Sequence, residues 1–195
     1  MKKDKLERMI VRLQTPKTEN FIQAASGKAV DFLDASPDQI LIEDIAHALS
    51  LLCRFGGHCT KFYSVCEHSV RCSWRAPKGF ELEALLHDAS EAYLVDIPRP
   101  IKILLPEYKI IEEALEKIIS KKFGIPFPMS PEVKEIDNRM LSTEASQIMN
   151  KSERPWTYVF PIFKTENIEG WAPKKAYDIF MARFNYLTQE QKQAA

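Results

Sequence analysis

The sequence predicts an all-α fold, a globular helical bundle. Apolar residues recur at three- and four-residue spacings along most of the chain. Prolines open several of these periodic stretches and glycines close them. Outside one segment near Ala29–Leu33, nothing alternates with the two-residue period of a strand.

The elements follow in order. Residues 3–13 place Leu6, Met9, Ile10 and Leu13 on one stripe, a first helix. Residues 17–40 read as irregular, with Gly27, Pro37 and a short strand near Ala29–Leu33. A second helix runs from Ile42 to Cys53, with Ile42, Ile45, Leu49 and Leu52 inward. Glu43 and Asp44 occupy its first turn, where the helix dipole favours acids, and Gly56–Gly57 ends it. His47 falls among Ala46, Ala48 and Leu49 and reads as an interior, structural residue. A third helix spans Ser64 to the residues before Pro77, and a fourth spans Phe80–Tyr93. A turn with Pro98 and Pro100 follows. Pro106 opens a long helix to Phe123, closed by Gly124 and Pro126, and Pro131 opens another to Met149. Residues 150–170 read as a packing loop. Pro173 starts a last helix with Tyr177, Phe180, Met181, Phe184 and Leu187. Residues 1–150 thus read as a core with an N-terminal helix. Residues 151–195 read as an aromatic loop and helix packed on the same domain, where Trp156, Tyr158, Phe160 and Trp171 either close over a pocket or, the favoured reading, cap the bundle.

Composition narrows the function. The 195 residues carry 27 Lys+Arg and 27 Asp+Glu, so no net field attracts a nucleic-acid backbone. No apolar run approaches the ~18 residues a membrane helix needs. The start, MKKDKLERMI, has Asp4 and Glu7 among its bases and no apolar stretch after it, so it is not read as a signal peptide. The expected compartment is the cytoplasm, and the expected partner is a small molecule rather than a nucleic acid or a membrane. Cys53, Cys59, Cys66 and Cys72 form no C-x-x-C pair and read as free thiols in or near a core.

The candidate chemistry lies in a few polar residues set in apolar surroundings. His87–Asp88 reads as mid-helix in ALLHDASEAYL, where an acid is costly unless paired or bound to a cation. Glu91 is four residues from His87 and three from Asp88, so the three share a face, and Asp96 follows at the helix exit. These side chains suit a hard-to-borderline metal with carboxylates left for proton transfer. His68 could supply a second imidazole or be a satisfied core histidine. Asp137 stands on an apolar stripe with Val133, Ile136 and Met140, and could instead pair with Lys134 or Arg139 on the surface.

The order His68, His87–Asp88, Asp137 resembles the metal-binding signature of the HD-domain phosphohydrolases. His87-Asp-Ala-Ser-Glu91 with Asp96-Ile-Pro-Arg-Pro-Ile-Lys102 is more specifically similar to the bacterial 5′-deoxynucleotidases and their relatives. Ile42–Ser50, Cys53–His58 and Phe62–His68 complete the likeness, which covers residues 27–150. Within that family, the phage dATP triphosphohydrolases and the phosphohydrolase of oxetanocin A biosynthesis are similar in style.

The resemblance implies an HD-domain bundle in which His68, His87, Asp88 and Asp137 hold one divalent metal: Co²⁺, Mn²⁺ or Mg²⁺, with Fe²⁺, Ni²⁺ and Zn²⁺ also admitted. It implies Glu91 as the acid/base and Asp96 as the residue that orients a water or assists the leaving group. Arg54 stands where relatives place a phosphate-binding arginine, although a helix-terminal arginine is the plainer reading. Phe55 would pack on sugar or base, and His58, Lys61 and Lys102 would contact a polyphosphate. The implied activity is removal of phosphate from deoxyadenosine-like mono-, di- or triphosphates by a monomer or homodimer. Release of tripolyphosphate and hydrolysis of a guanosine tetraphosphate alarmone stand as alternatives.

Overall fold

In the computed structural model the described residues are 20–31, 34–156 and 159–194. The stripe at residues 3–13 lies outside them, as do Leu33 and Tyr158. The chain enters as an antiparallel hairpin, β1 (Phe21–Gln23) against β2 (Ala29–Asp31), with Ile22 opposite Val30. The sequence pattern predicts only the second strand. The first is too short to alternate visibly, and it forms because the hairpin tip is pinned from outside. Ser26 donates its backbone N–H and its hydroxyl to the two carboxylate oxygens of Asp44, each at 2.7 Å.

Asp44 belongs to α1 (Ile42–Leu51), which buries Ile42, Ile45, Ala46 and Leu49 as its periodicity requires. His47 points the other way and is exposed, which corrects the interior position expected for it. It follows Ala46 by one residue, about 100° round the helix from the buried face. After α1 the chain makes a short 3₁₀ turn at Arg54–Gly57, where Phe55, Gly56 and Gly57 all have positive φ. A one-residue bridge between Cys53 and Ser64 closes this loop, with Arg54 N–H donating to the Tyr63 carbonyl at 2.9 Å.

α2 (Val65–Arg75) is the central helix. Its N-cap Ser64 accepts from Glu67 N–H at 3.1 Å. Every residue from Val65 to Ser73 is buried, polar ones included, because α1, α3 (Glu81–Leu86), α7 (Pro131–Ile148) and α8 (Pro173–Ala194) surround it. A helix with this much charge can be enclosed only if each charge has a partner. Arg71 supplies one such pairing, gripping Glu67 through Nε at 2.9 Å and Nη2 at 2.7 Å.

The stretch expected as one helix from Phe80 to Tyr93 is broken. α3 stops at Leu86, residues 87–90 form a tight turn, and α4 (Glu91–Leu94) resumes. The cause is local: the His87 ring Nδ1–H donates to the Ala84 carbonyl at 2.8 Å, the acceptor that Asp88 N–H would use in a continuing helix. The proline-rich turn contains a one-turn helix, α5 (Arg99–Lys102). α6 (Pro106–Phe123) and α7 start at the expected prolines, and α6 ends on Gly124 with φ 67°.

Two apolar clusters result. The larger joins the hairpin, α1, α3, α4, α6 and α8 to one side of α2, with Trp171 and Phe180 in it. The smaller joins Tyr63 and Cys72 to Val133, Ile136, Met140 and Ile148 of α7 and to Ile168. The protein is predominantly helical and globular, and the hairpin is the one sheet among the described residues. No described helix is long and apolar enough to cross a membrane.

Candidate metal centre

Three backbone segments deliver polar side chains to the seam between the clusters. α2 brings His68, the turn after α3 brings His87 and Asp88, and α7 brings Asp137. His68 Nε2 lies 3.2 Å from His87 Nε2, 3.3 Å from Asp137 Oδ1 and 3.5 Å from Asp88 Oδ2. His87 Nε2 lies 3.2 Å from Asp88 Oδ2 and 3.8 Å from Asp137 Oδ1. Asp137 therefore faces the histidines, and the surface pairing with Lys134 or Arg139 does not form. The break at Leu86 matters here, because the tightened turn aims His87 and Asp88 at one point.

The far side of each ring fixes its tautomer. His68 Nδ1 sits 2.5 Å from Glu144 Oε1, and His87 Nδ1 sits 2.8 Å from the Ala84 carbonyl. An ionised carboxylate and a carbonyl only accept. Both Nδ1 atoms must therefore carry hydrogen, and in neutral rings both Nε2 atoms present lone pairs. Two lone pairs and two carboxylate oxygens then meet with no donor among them. Either the rings take up extra protons or a cation sits at the centre.

The electrostatics favour positive charge there. Burial pushes His68 down and Arg54 adds to that, but Cys72, Glu144 and Asp137 outweigh both and hold it well above the ordinary histidine range. Burial likewise opposes the charged His87, and Asp88 and Asp137 overcome it. Burial would raise Asp88 and Asp137, yet the two imidazoles hold both carboxyls below their usual range.

His68, Cys72 and His87 are all buried, each with a ligand atom within 4.8 Å of the others, so this group could hold a metal ion. The Cys72 sulfur is 3.6 Å from His68 Nε2 and 3.9 Å from Nδ1. Near-equal distances place it beside the ring and off the Nε2 lone-pair axis. All four cysteines are free thiols, two buried and two half-buried, as expected.

Around the cluster stand the remaining candidates. Glu91 is buried, and its Oε2 has no hydrogen-bond partner among the described residues. Burial, then Asp88 and Asp96, push its carboxyl well up, against Arg54 and Lys102. Burial also raises Asp96, with Asp88 adding to it. Arg54 is buried, with Nε 3.2 Å from Glu144 Oε2 and Nη1 3.4 Å from Asp88 Oδ2. Phe55 carries its ring 6.4 Å from that of Trp156. Lys102 Nζ donates to Glu112 at 2.7 Å and lies 3.9 Å from Glu91. Lys61 Nζ donates to the Ile168 carbonyl at 2.7 Å, which ties it to the C-terminal loop. His58 is exposed, and its ring makes no hydrogen bond or ion pair among the described residues.

Sequence reasoning missed Glu144, Tyr63 and Arg99. Glu144 is fully buried and takes the Tyr63 hydroxyl at 2.7 Å beside His68. Its one signal was an acid seven residues after Asp137, on the same side of α7. Arg99 Nη2 donates to Asn138 at 3.1 Å and lies 3.9 Å from Asp137. Of the late aromatics, Trp171 is buried as a cap. Trp156 is exposed beside Phe55.

No family model matches the sequence. It is 45% identical over 175 residues to the uncharacterized protein YfdR of Escherichia coli (strain K12), covering 89% of this chain and 98% of that one. It is 34% identical over 149 residues to an uncharacterized protein of Rhodobacter capsulatus, covering 69% of this chain and 76% of the relative. At that identity and coverage, the chain belongs to one family with YfdR.

Proposed function

We propose that this protein is an HD-domain phosphohydrolase that holds one divalent cation between His68, His87, Asp88 and Asp137 and removes phosphate from nucleoside phosphates. The observation that carries this reading is the convergence of two imidazole Nε2 atoms, 3.2 Å apart, on two carboxylate oxygens 3.2–3.8 Å from them, with both rings fixed from behind as Nδ1–H. Two neutral imidazoles and two carboxylates suit Co²⁺, Mn²⁺ or Mg²⁺, and admit Fe²⁺, Ni²⁺ or Zn²⁺. A bound cation would polarise a phosphoryl oxygen and lower the pKa of a bound water.

The chain's own residues supply the rest. Glu91, buried and pushed upward, is suited to hold a proton at Oε2 and pass it to a leaving oxygen, or to accept one from an attacking water. Asp96 orients that water. Arg54 brings a permanent positive charge to the edge of the carboxylates, where its fork can meet phosphate oxygens. Phe55 and the exposed Trp156 offer rings to a sugar or base. Lys102 and His58 are candidates for more distant phosphates. The substrates proposed are deoxyadenosine-like mono-, di- or triphosphates.

The test is reconstitution. Protein stripped with chelator and reloaded with Mn²⁺ or Co²⁺ should bind one equivalent, melt at a higher temperature, and release phosphate from dAMP, dADP or dATP. Following products by ³¹P NMR separates stepwise phosphate loss from tripolyphosphate release, and adding guanosine tetraphosphate to the panel tests the alarmone alternative. No turnover of any of these by loaded protein would sink the hydrolase reading. Undiminished metal binding in His68→Ala and Asp137→Asn would sink the ligand set.

A further inference from the structure

Glu144 is the most completely enclosed acid beside the centre, and no step above uses it. Its side chain has no solvent exposure, yet it accepts from three donors of three kinds. Oε1 takes His68 Nδ1–H at 2.5 Å and the Tyr63 hydroxyl at 2.7 Å, while Oε2 takes Arg54 Nε–H at 3.2 Å. Three donors on its two oxygens, and no acceptor beside them, are what an ionised carboxylate takes.

We infer that Glu144 is a positioning residue that sets two functional groups at once: it aims the His68 Nε2 lone pair into the metal centre and aims the Arg54 guanidinium at its edge. The inference rests on the proposed metal site. Its physical basis is the division of labour between the two oxygens. A carboxylate behind an imidazole fixes the ring and makes its far nitrogen more basic. The second oxygen engages Arg54 at Nε, at the root of the fork, which leaves Nη1 to reach Asp88 at 3.4 Å. Without Glu144, His68 is free to turn and Arg54 is a buried cation with one partner fewer. Tyr63 completes the cage. Its hydroxyl is fully enclosed and is a second donor on Oε1, a contact separate from the bonds that Glu144 makes to His68 and Arg54.

The test uses metal affinity and phosphate affinity. Glu144→Gln keeps the shape but places an amide where at least one donor would face a donor. Titration with Mn²⁺ should show affinity lower by about 10–100-fold, and inorganic phosphate should bind the loaded variant more weakly. Tyr63→Phe leaves the His68 and Arg54 bonds intact, and its metal affinity should stay within about threefold of the parent. Equal affinity in Glu144→Gln and parent would overturn the inference. So would a loss in Tyr63→Phe as large as in Glu144→Gln, since that would mark a packing role. A measurement on the parent holds even if Glu144→Gln does not fold: in ¹⁵N-histidine-labelled, Zn²⁺-loaded protein, His68 should carry its proton on Nδ1, shifted downfield by the carboxylate. An Nδ1 proton without that downfield shift would overturn the inference, and a proton on Nε2 would count against His68 as a ligand. Failure of the parent to bind any of these cations would instead count against the proposed site itself.

Discussion

Glu91 and Asp137 are both acids near the same imidazoles, yet their surroundings drive them in opposite directions. Asp137 faces two rings at 3.3 and 3.8 Å and stays ionised. Glu91 faces Asp88 and Asp96 and favours its proton. One setting favours the ion and the other the neutral acid, which suits the proposed ligand and acid/base roles. Glu91→Gln should therefore lower turnover by about 10²–10⁴-fold, the range of a lost acid/base, while metal content and helicity match the parent. Metal loss accompanying the loss of rate would make Glu91 a ligand rather than an acid/base. His87 and Asp88 stand out in the sequence because an acid in an apolar stretch demands a partner, whereas His68 and Asp137 also fit a core histidine and a surface pair and join them as a set only through the resemblance. Glu144 was not, since nothing in TEASQ distinguishes a buried acid from a solvated one until Tyr63 and Arg54 close on it.

At the scale of elements, starts and stops were easier to read than interruptions. Pro106, Pro131 and Pro173 open helices where expected, because a proline ring fits the first turn and no later one. The break after Leu86 left no trace of proline or glycine. It arises when a histidine ring takes a main-chain acceptor, a contact set by tertiary position. Two glycines give a matched test. Gly124 (φ 67°) ends α6 in open space, so Gly124→Ala should lose only about 1 kcal/mol from the left-handed backbone. Gly170 (φ 76°) has the Phe62 carbonyl oxygen 2.6 Å from where a Cβ would sit. Gly170→Ala should lose clearly more, about 2 kcal/mol or above, from strain plus collision. Urea unfolding of the two variants compares them directly, and equal midpoints would show that the segment before α8 is loosely held.

Across the whole molecule, α2 is the spine on which α1, α3, α7 and α8 pack. Its outer contacts explain why residues 159–172 need no regular structure. Glu67 accepts the main-chain N–H of Trp171 at 2.6 Å, and Glu166 receives both Arg71 and Arg75. Gln147 of α7 donates to the Glu166 carbonyl and accepts from Ile168 N–H, both at 2.9 Å. Arg139 stacks on Phe163 with its guanidinium carbon 4.1 Å from the ring centroid. The sequence showed aromatics in this stretch and suggested that it packs. It could not show that the fastening is ionic and main-chain, because the partners lie from 19 to 104 residues away.

That fastening outlasts the covalent link. Residues 150–156 are exposed, whereas Trp171, Ala176 and Phe180 are locked into the larger cluster. A protease that nicks the chain after Lys151 should leave two fragments that travel together through a gel-filtration column and part only in denaturant.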